Sequence, residues 1–165
     1  MVECQLEKFQ DIKCWKMEND LLTLWLSENF GPRVLGLSYQ GGENLLAYLP
    51  EAKLPIAGGR EYSLRGGHRL WYAPERPETT YIPDDLPPKV KEIEGGLAFV
   101  QEVDHPTGIQ KSWDIKLAAG KSEVEIDHRL VNQGEEPFVL APWAVTMLRP
   151  GGVGLVPFVQ GPIDE

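Results

Sequence analysis

The fold is decided by residues 123–131, which read EVEIDHRLV. Every second residue from Val124 to Leu130 is apolar or histidine, and the residues between them are charged. This period of two is typical of a half-buried antiparallel β-strand, because successive side chains of a strand point to opposite faces. The stretch therefore predicts a strand with one face toward a core.

Working outward, several other segments carry the same strand pattern and are separated by turns rich in Gly, Pro, Asn and Asp. They are residues 21–27, 33–39, 97–103, 109–118, 138–148 and 154–159. No stretch combines an N-cap, a helical apolar stripe and a Gly- and Pro-free run of helix length. The sequence therefore predicts an all-β fold of antiparallel strands, with residues 1–165 forming a single domain.

Residues 50–88 show a different pattern, since the segment holds seven prolines and two Gly-Gly pairs. Loops of this length are uncommon unless they are functional or disordered. Its tyrosines, Trp71 and several arginines argue against disorder. The segment is therefore predicted to be a long, ordered loop insertion that carries the candidate site.

Composition limits the classes of function. The chain has 165 residues, a net charge of -9, 17 glycines and 14 prolines, which argues against a helical bundle and against binding to nucleic acid or anionic membranes. No apolar run is long enough to cross a bilayer, and no secretory signal is visible at the N-terminus, so we expect a cytoplasmic protein. The two cysteines are interpreted as reduced thiols. No cofactor is expected, and the three scattered histidines predict no metal site.

The densest concentration of reactive side chains is residues 65–78, which read RGGHRLWYAPERPE. Such a mixture suits sugars, because charged groups hydrogen-bond hydroxyls while an aromatic ring covers the apolar face of the sugar. The candidate substrate-binding residues in this stretch are Arg65, Arg69, Trp71 and Glu75. The alternative interpretation is a structural loop, with Trp71 in the core and the arginines in ion pairs.

Residues 66–75 (GGHRLWYAPE) and 81–85 (YIPDD) resemble uncharacterised relatives of the aldose 1-epimerases, which belong with the galactose mutarotase-like β-supersandwich proteins. Residues 29–37, with Arg33, and residues 128–146, with Trp143, resemble further elements of that family. The resemblance implies an antiparallel β-supersandwich fold and adds Arg33 and Trp143 to the candidate substrate-binding residues.

The chemistry that the resemblance implies is general acid–base catalysis at the anomeric carbon of a sugar, in which a glutamate takes a proton and a histidine donates one. His68 matches the first family histidine and is the candidate general acid. Trp143 stands where the family has a second histidine, and no residue matches the catalytic glutamate. Family members are longer, so an incomplete sandwich, truncated at its C-terminus, is expected. The implied function is carbohydrate binding, with action on a sugar or sugar phosphate when the full fold is present.

A non-catalytic β-sandwich module that binds other proteins remains an alternative, with Trp15, Trp25 and the loop aromatics at the interface. Aromatic residues and arginine are enriched at protein interfaces as well as at sugar sites, so composition does not separate the two. The expected partner is a small-molecule carbohydrate, and an exposed strand edge also predicts a homodimer. His128, on the apolar face of its strand, is interpreted as a core histidine.

Overall fold

A computed structural model describes residues 1–155 of the chain, without the side chain of Ala57. The described strands are β1 Glu3–Phe9, β2 Ile12–Glu18, β3 Leu22–Ser27, β4 Val34–Tyr39, β5 Tyr48–Ile56, β6 Arg60–Gly66, β7 His68–Ala73, β8 Lys89–Ile93, β9 Gly96–Val100, β10 Ile109–Leu117, β11 Val124–Asn132 and β12 Ala141–Thr146. A 3-10 turn, Ala57–Gly59, joins β5 to β6. The strand predicted over 154–159 falls largely on residues that lie outside the described part.

These strands form three antiparallel sheets. The first has six strands in the order β1-β2-β3-β4-β7-β12, the second has four in the order β11-β10-β9-β8, and β5 pairs with β6. The prediction of an all-β, antiparallel fold is confirmed. In the four-stranded sheet every strand pairs with its neighbour along the chain, as expected for strands joined by short turns.

The six-stranded and four-stranded sheets bury a common hydrophobic core and so form a sandwich. Leu24 and Leu26 contribute to the core from the first sheet, and Phe99, Trp113 and Ile115 contribute from the second. Alternation explains the arrangement, since every second residue of β10 from Ile109 is buried. A smaller cluster on the outer face of the first sheet contains Phe9, Cys14, Phe30 and Leu35.

The structure differs from the predicted loop over residues 50–88, because β5, β6 and β7 occupy much of it. Pro50 and Pro55 lie in β5, whose pairing with β6 shifts register between Leu49 and Lys53. Strand β7 has four consecutive buried residues, so its sequence lacks the alternation of apolar and polar residues that predicts a strand. Residues 74–88 are left as the connection between β7 and β8. Strands β1, β2 and β8 were likewise not assigned from the sequence.

The six-stranded sheet has a weak junction between β4 and β7. Only one register pair, Val34 with His68, joins these two strands. Strand β7 instead pairs along its whole length with β12, from His68 opposite Thr146 to Ala73 opposite Ala141. Gly67, just before β7, brings the two backbones close, because a Cβ there would lie 1.9 Å from the carbonyl oxygen of Val34.

Candidate functional site

Strand β7 carries the densest part of the predicted site and directs its side chains to two faces of the sheet. On the inner face, Leu70 joins the core between the sheets and His68 contacts His128 of β11. On the outer face, Trp71 lies against Tyr62 of β6. Because successive residues of a strand alternate, the candidate site is divided between these faces.

The outer face holds a cluster of aromatic rings around Trp71. The Trp71 ring centroid is 5.2 Å from that of Trp143, its register partner on β12, and 5.2 Å from that of Tyr81. The indole N–H of Trp71 donates to the hydroxyl of Tyr62 over 3.0 Å. Trp71 is only 8% exposed, whereas Trp143 and Tyr81 are half-buried and the adjacent Glu75 is exposed. The Tyr81 hydroxyl donates to the Glu75 carboxylate, so ring edges and a carboxylate meet at the surface.

Two of the predicted arginines, Arg33 and Arg65, form ion pairs with carboxylates of the 74–88 connection next to this cluster. Arg33 is completely buried and its guanidinium lies 2.6 Å from the carboxylate of Asp84. Burial alone would raise the pKa of Asp84, but the charge of Arg33 overrides it and lowers that pKa. Arg65 pairs with Asp85 over 2.8 Å. These contacts fasten the 74–88 connection to the sheet, so both arginines have a structural role here.

Arg69 is buried, and no carboxylate of the described residues forms an ion pair with it. Its guanidinium stacks 4.4 Å from the Trp71 ring and donates to the backbone carbonyl of Leu64 and the sulfur of Met147. Burial and the nearby charge of Arg33 lower the pKa of Arg69. A cavity of about 10 Å³, the size of a single water, adjoins this guanidinium. Arg69 therefore stabilises the position of the Trp71 ring by stacking on it. At 2% exposure its guanidinium is too deeply buried to contact a ligand as large as a sugar.

The inner face of β7 carries a pair of histidines that bridges the two sheets. Nε2 of His68 lies 2.9 Å from Nε2 of His128, and Nδ1 of His68 lies 2.8 Å from the hydroxyl of Thr146 on β12. Trp113 packs its ring edge-to-face against both imidazoles. Burial, followed by the proximity of His128 and Arg69, lowers the pKa of His68 to about 4. Burial also lowers the pKa of His128, so both rings are neutral at pH 7.

An open cavity of about 250 Å³ borders the aromatic cluster on the side of Tyr81. Pro77, Pro83 and the Tyr81 ring form part of its wall, and Arg60 and Glu78 supply charged groups. Its volume is slightly below the range of about 300–1,000 Å³ that is usual for small-molecule sites. A ligand the size of one sugar ring is therefore the kind that this surface can accept.

The structure brings together most, but not all, of the predicted site residues. Trp71, Trp143 and Glu75 share the outer surface, with Arg33, Arg65 and Arg69 behind them in structural contacts. His68 lies on the opposite face of β7, with Thr146 and His128 as its hydrogen-bond partners in the described part of the chain. Among residues 1–155, no carboxylate stands beside His68 to complete the acid–base pair that the resemblance implies.

Sequence reasoning missed several residues of these clusters. Tyr62 and Asp84 were not singled out as partners of Trp71 and Arg33, and Thr146 was not linked to His68. The aromatic and acidic composition of residues 50–88 was the available signal for the first two. Nothing in the sequence pattern indicates that β7 and β11 face each other, which is why His128 was interpreted as an ordinary core residue.

Comparisons with known proteins add no family: no family model, no curated protein and no solved structure matches the chain. Within residues 1–155, no group of three or more His, Cys, Asp and Glu side chains is arranged to hold a metal ion. In the same part of the chain, no helix has the length and apolarity that crossing a membrane requires.

Proposed function

We propose that this protein binds carbohydrate at the outer surface formed by Trp143, Trp71, Tyr81 and Glu75. The observation that carries the proposal is the contact of three aromatic rings beside an exposed carboxylate. A half-exposed indole covers the apolar C–H face of a sugar ring, and a carboxylate accepts hydrogen bonds from its hydroxyls. The cavity next to Tyr81 gives space for one ring.

The resemblance of residues 66–75 to relatives of the aldose 1-epimerases supports the same class of ligand. It also supports action on the anomeric centre of a sugar or sugar phosphate as the chemistry of a relative with all catalytic groups. In this chain, His68 lies on the inner face of β7, whereas Glu75 follows β7 and contacts Tyr81 of the outer cluster, so we propose binding alone. A mutarotation assay by polarimetry should give the rate seen in buffer alone.

The test is a titration with glucose, galactose and their 6-phosphates, followed by tryptophan fluorescence and by ligand NMR line widths. Trp143→Ala and Glu75→Gln should each weaken binding about tenfold, because an aromatic stack or a charge-assisted hydrogen bond is worth about 1.5 kcal/mol. Trp143 is half-buried at the edge strand β12, so its replacement should leave the fold intact.

The matched control is Tyr39→Ala, which removes an exposed aromatic ring, 46% accessible, from the far end of β4. It should bind sugars as tightly as the wild type. If no sugar changes either signal at millimolar concentration, the proposal is wrong. If Tyr39→Ala weakens binding as much as Trp143→Ala does, the sugar lies somewhere other than at this surface.

A further inference from the structure

The two histidines between the sheets form a donor pair that the proposed sugar surface does not use. His68 comes from β7 and His128 from β11, and their Nε2 atoms face each other across 2.9 Å. Both side chains are half-buried, and within residues 1–155 β11 and β12 are the edge strands of their sheets, so solvent reaches the pair. The third histidine, His105, lies in an exposed turn.

We propose that His68 and His128 together bind a divalent transition-metal ion of the class that prefers imidazole, such as Zn²⁺, Ni²⁺ or Cu²⁺, with water completing the coordination. Two nitrogens at about 2.0–2.1 Å from a tetrahedral Zn²⁺ stand about 3.3 Å apart, so the two Nε2 atoms need to separate by a few tenths of an ångström. Each ring also has to turn by about 35°, so that its lone pair points to the ion and no longer along the line between the two Nε2 atoms.

The hydrogen-bond partner of His68 on β12 favours metal binding by the histidine pair. Metal-bound histidines donate their other ring N–H to an oxygen, and the Thr146 hydroxyl lies 2.8 Å from Nδ1 of His68 in the position to accept it. Nδ1 of His128 is buried and has no hydrogen-bond partner in the described part of the chain. Because such a partner strengthens metal binding by a histidine, we expect a dissociation constant in the micromolar range or weaker.

The two cysteine thiols of the chain compete poorly with the imidazole pair for the metal ion. The pKa of Cys14 is raised to about 11 by its burial, and burial also raises the pKa of Cys4. Both thiols are therefore protonated at pH 7.5, and the thiolate is the form that binds a metal. A borderline ion such as Ni²⁺ should consequently select the imidazole pair.

The test is a titration of the full chain with NiCl₂ at pH 7.5, followed by calorimetry and by tryptophan fluorescence. Bound Ni²⁺ should quench Trp113, because the Trp113 ring lies 5.5 Å from that of His68 and 4.8 Å from that of His128. We expect one ion per chain. His68→Ala and His128→Gln should each weaken binding at least tenfold, and His105→Ala, the matched control, should leave it unchanged.

A second measurement guards against a variant that fails to fold. In the wild type, Zn²⁺ should shift the Nε2 resonances of two histidines in long-range ¹H–¹⁵N spectra and leave the third in place. Binding that survives both His68→Ala and His128→Gln, or a shift confined to His105, would overturn the proposal. So would the absence of any response up to millimolar Zn²⁺ or Ni²⁺. None of these outcomes bears on sugar binding at the outer surface.

Discussion

Replacing Gly67 by alanine tests whether β4 and β7 approach as closely as the structure shows. Gly67 has a φ of +68°, and a Cβ there would lie 1.9 Å from the carbonyl oxygen of Val34. Gly41 has a φ of +67°, but a Cβ there would meet no atom within 4 Å. The two glycines share one backbone conformation and differ in their surroundings, so Gly41→Ala is the matched control.

The expected costs follow from this difference. Both substitutions place an L-residue in the left-handed region, which costs roughly 1–2 kcal/mol. In Gly67→Ala the backbones of Gly67 and Val34 must also move apart, and a displacement of Gly67 strains the hydrogen bonds from the Gly67 N–H to Ala47 and from the Met147 N–H to Gly67. Each is worth about 1 kcal/mol net. We expect Gly41→Ala to cost about 1 kcal/mol and Gly67→Ala at least about 3 kcal/mol.

The assay is equilibrium urea unfolding followed by tryptophan fluorescence, with the free energy of unfolding extrapolated to water. Equal slopes against urea concentration would show that the variants unfold in the same way as the wild type. Equal destabilisation of the two variants would refute the reasoning, because the conformational cost alone would then account for both.

Two further predictions concern the stability contributed by the buried Arg33–Asp84 ion pair and the reactivity of the buried Cys14 thiol. Asp84→Asn should lower the free energy of unfolding by about 3 kcal/mol in urea at pH 7, because it leaves Arg33 buried without its counter-charge. Arg33 lowers the pKa of Asp84, so this contribution is present above about pH 4 and is lost in acid, where wild type and variant should converge; a constant difference would contradict it. Iodoacetamide at pH 8 should label Cys14 only after denaturation, because its pKa is raised to about 11 and about one thiol in a thousand is ionised. Intact-mass measurement checks this, and equally fast labelling of native protein would contradict it.

The strands that are predicted most accurately from the sequence have one face toward the core and the other toward solvent. Strand β11 alternates half-buried and exposed residues along most of its length, and the alternation in the sequence predicts it within one residue at each end. Strand β10 is nearly as clear, because buried residues occupy every second position. Period-two patterning is a local property, so it is readable wherever only one side of a strand is covered.

The candidate site was predictable in composition but not in arrangement. The run from His68 to Glu75 predicted a cluster, yet β7 is covered on both faces and its alternation divides that cluster between two surfaces. The pairing of Trp71 with Trp143 and of His68 with His128 depends on which strands are neighbours. Sheet order and packing are long-range properties, and no local pattern encodes them.

The single register pair between β4 and β7 has a consequence for how the native protein fluctuates. Strands β7 and β12 share a full ladder, whereas few backbone hydrogen bonds tie that ladder to the rest of the six-stranded sheet. Local unfolding often follows such weak attachments, so we expect the β7–β12 ribbon to open as one unit at a lower free-energy cost than global unfolding. Trp143 and Thr146 lie on the outer strand of this ribbon, and amide exchange there reports how often the two clusters come apart.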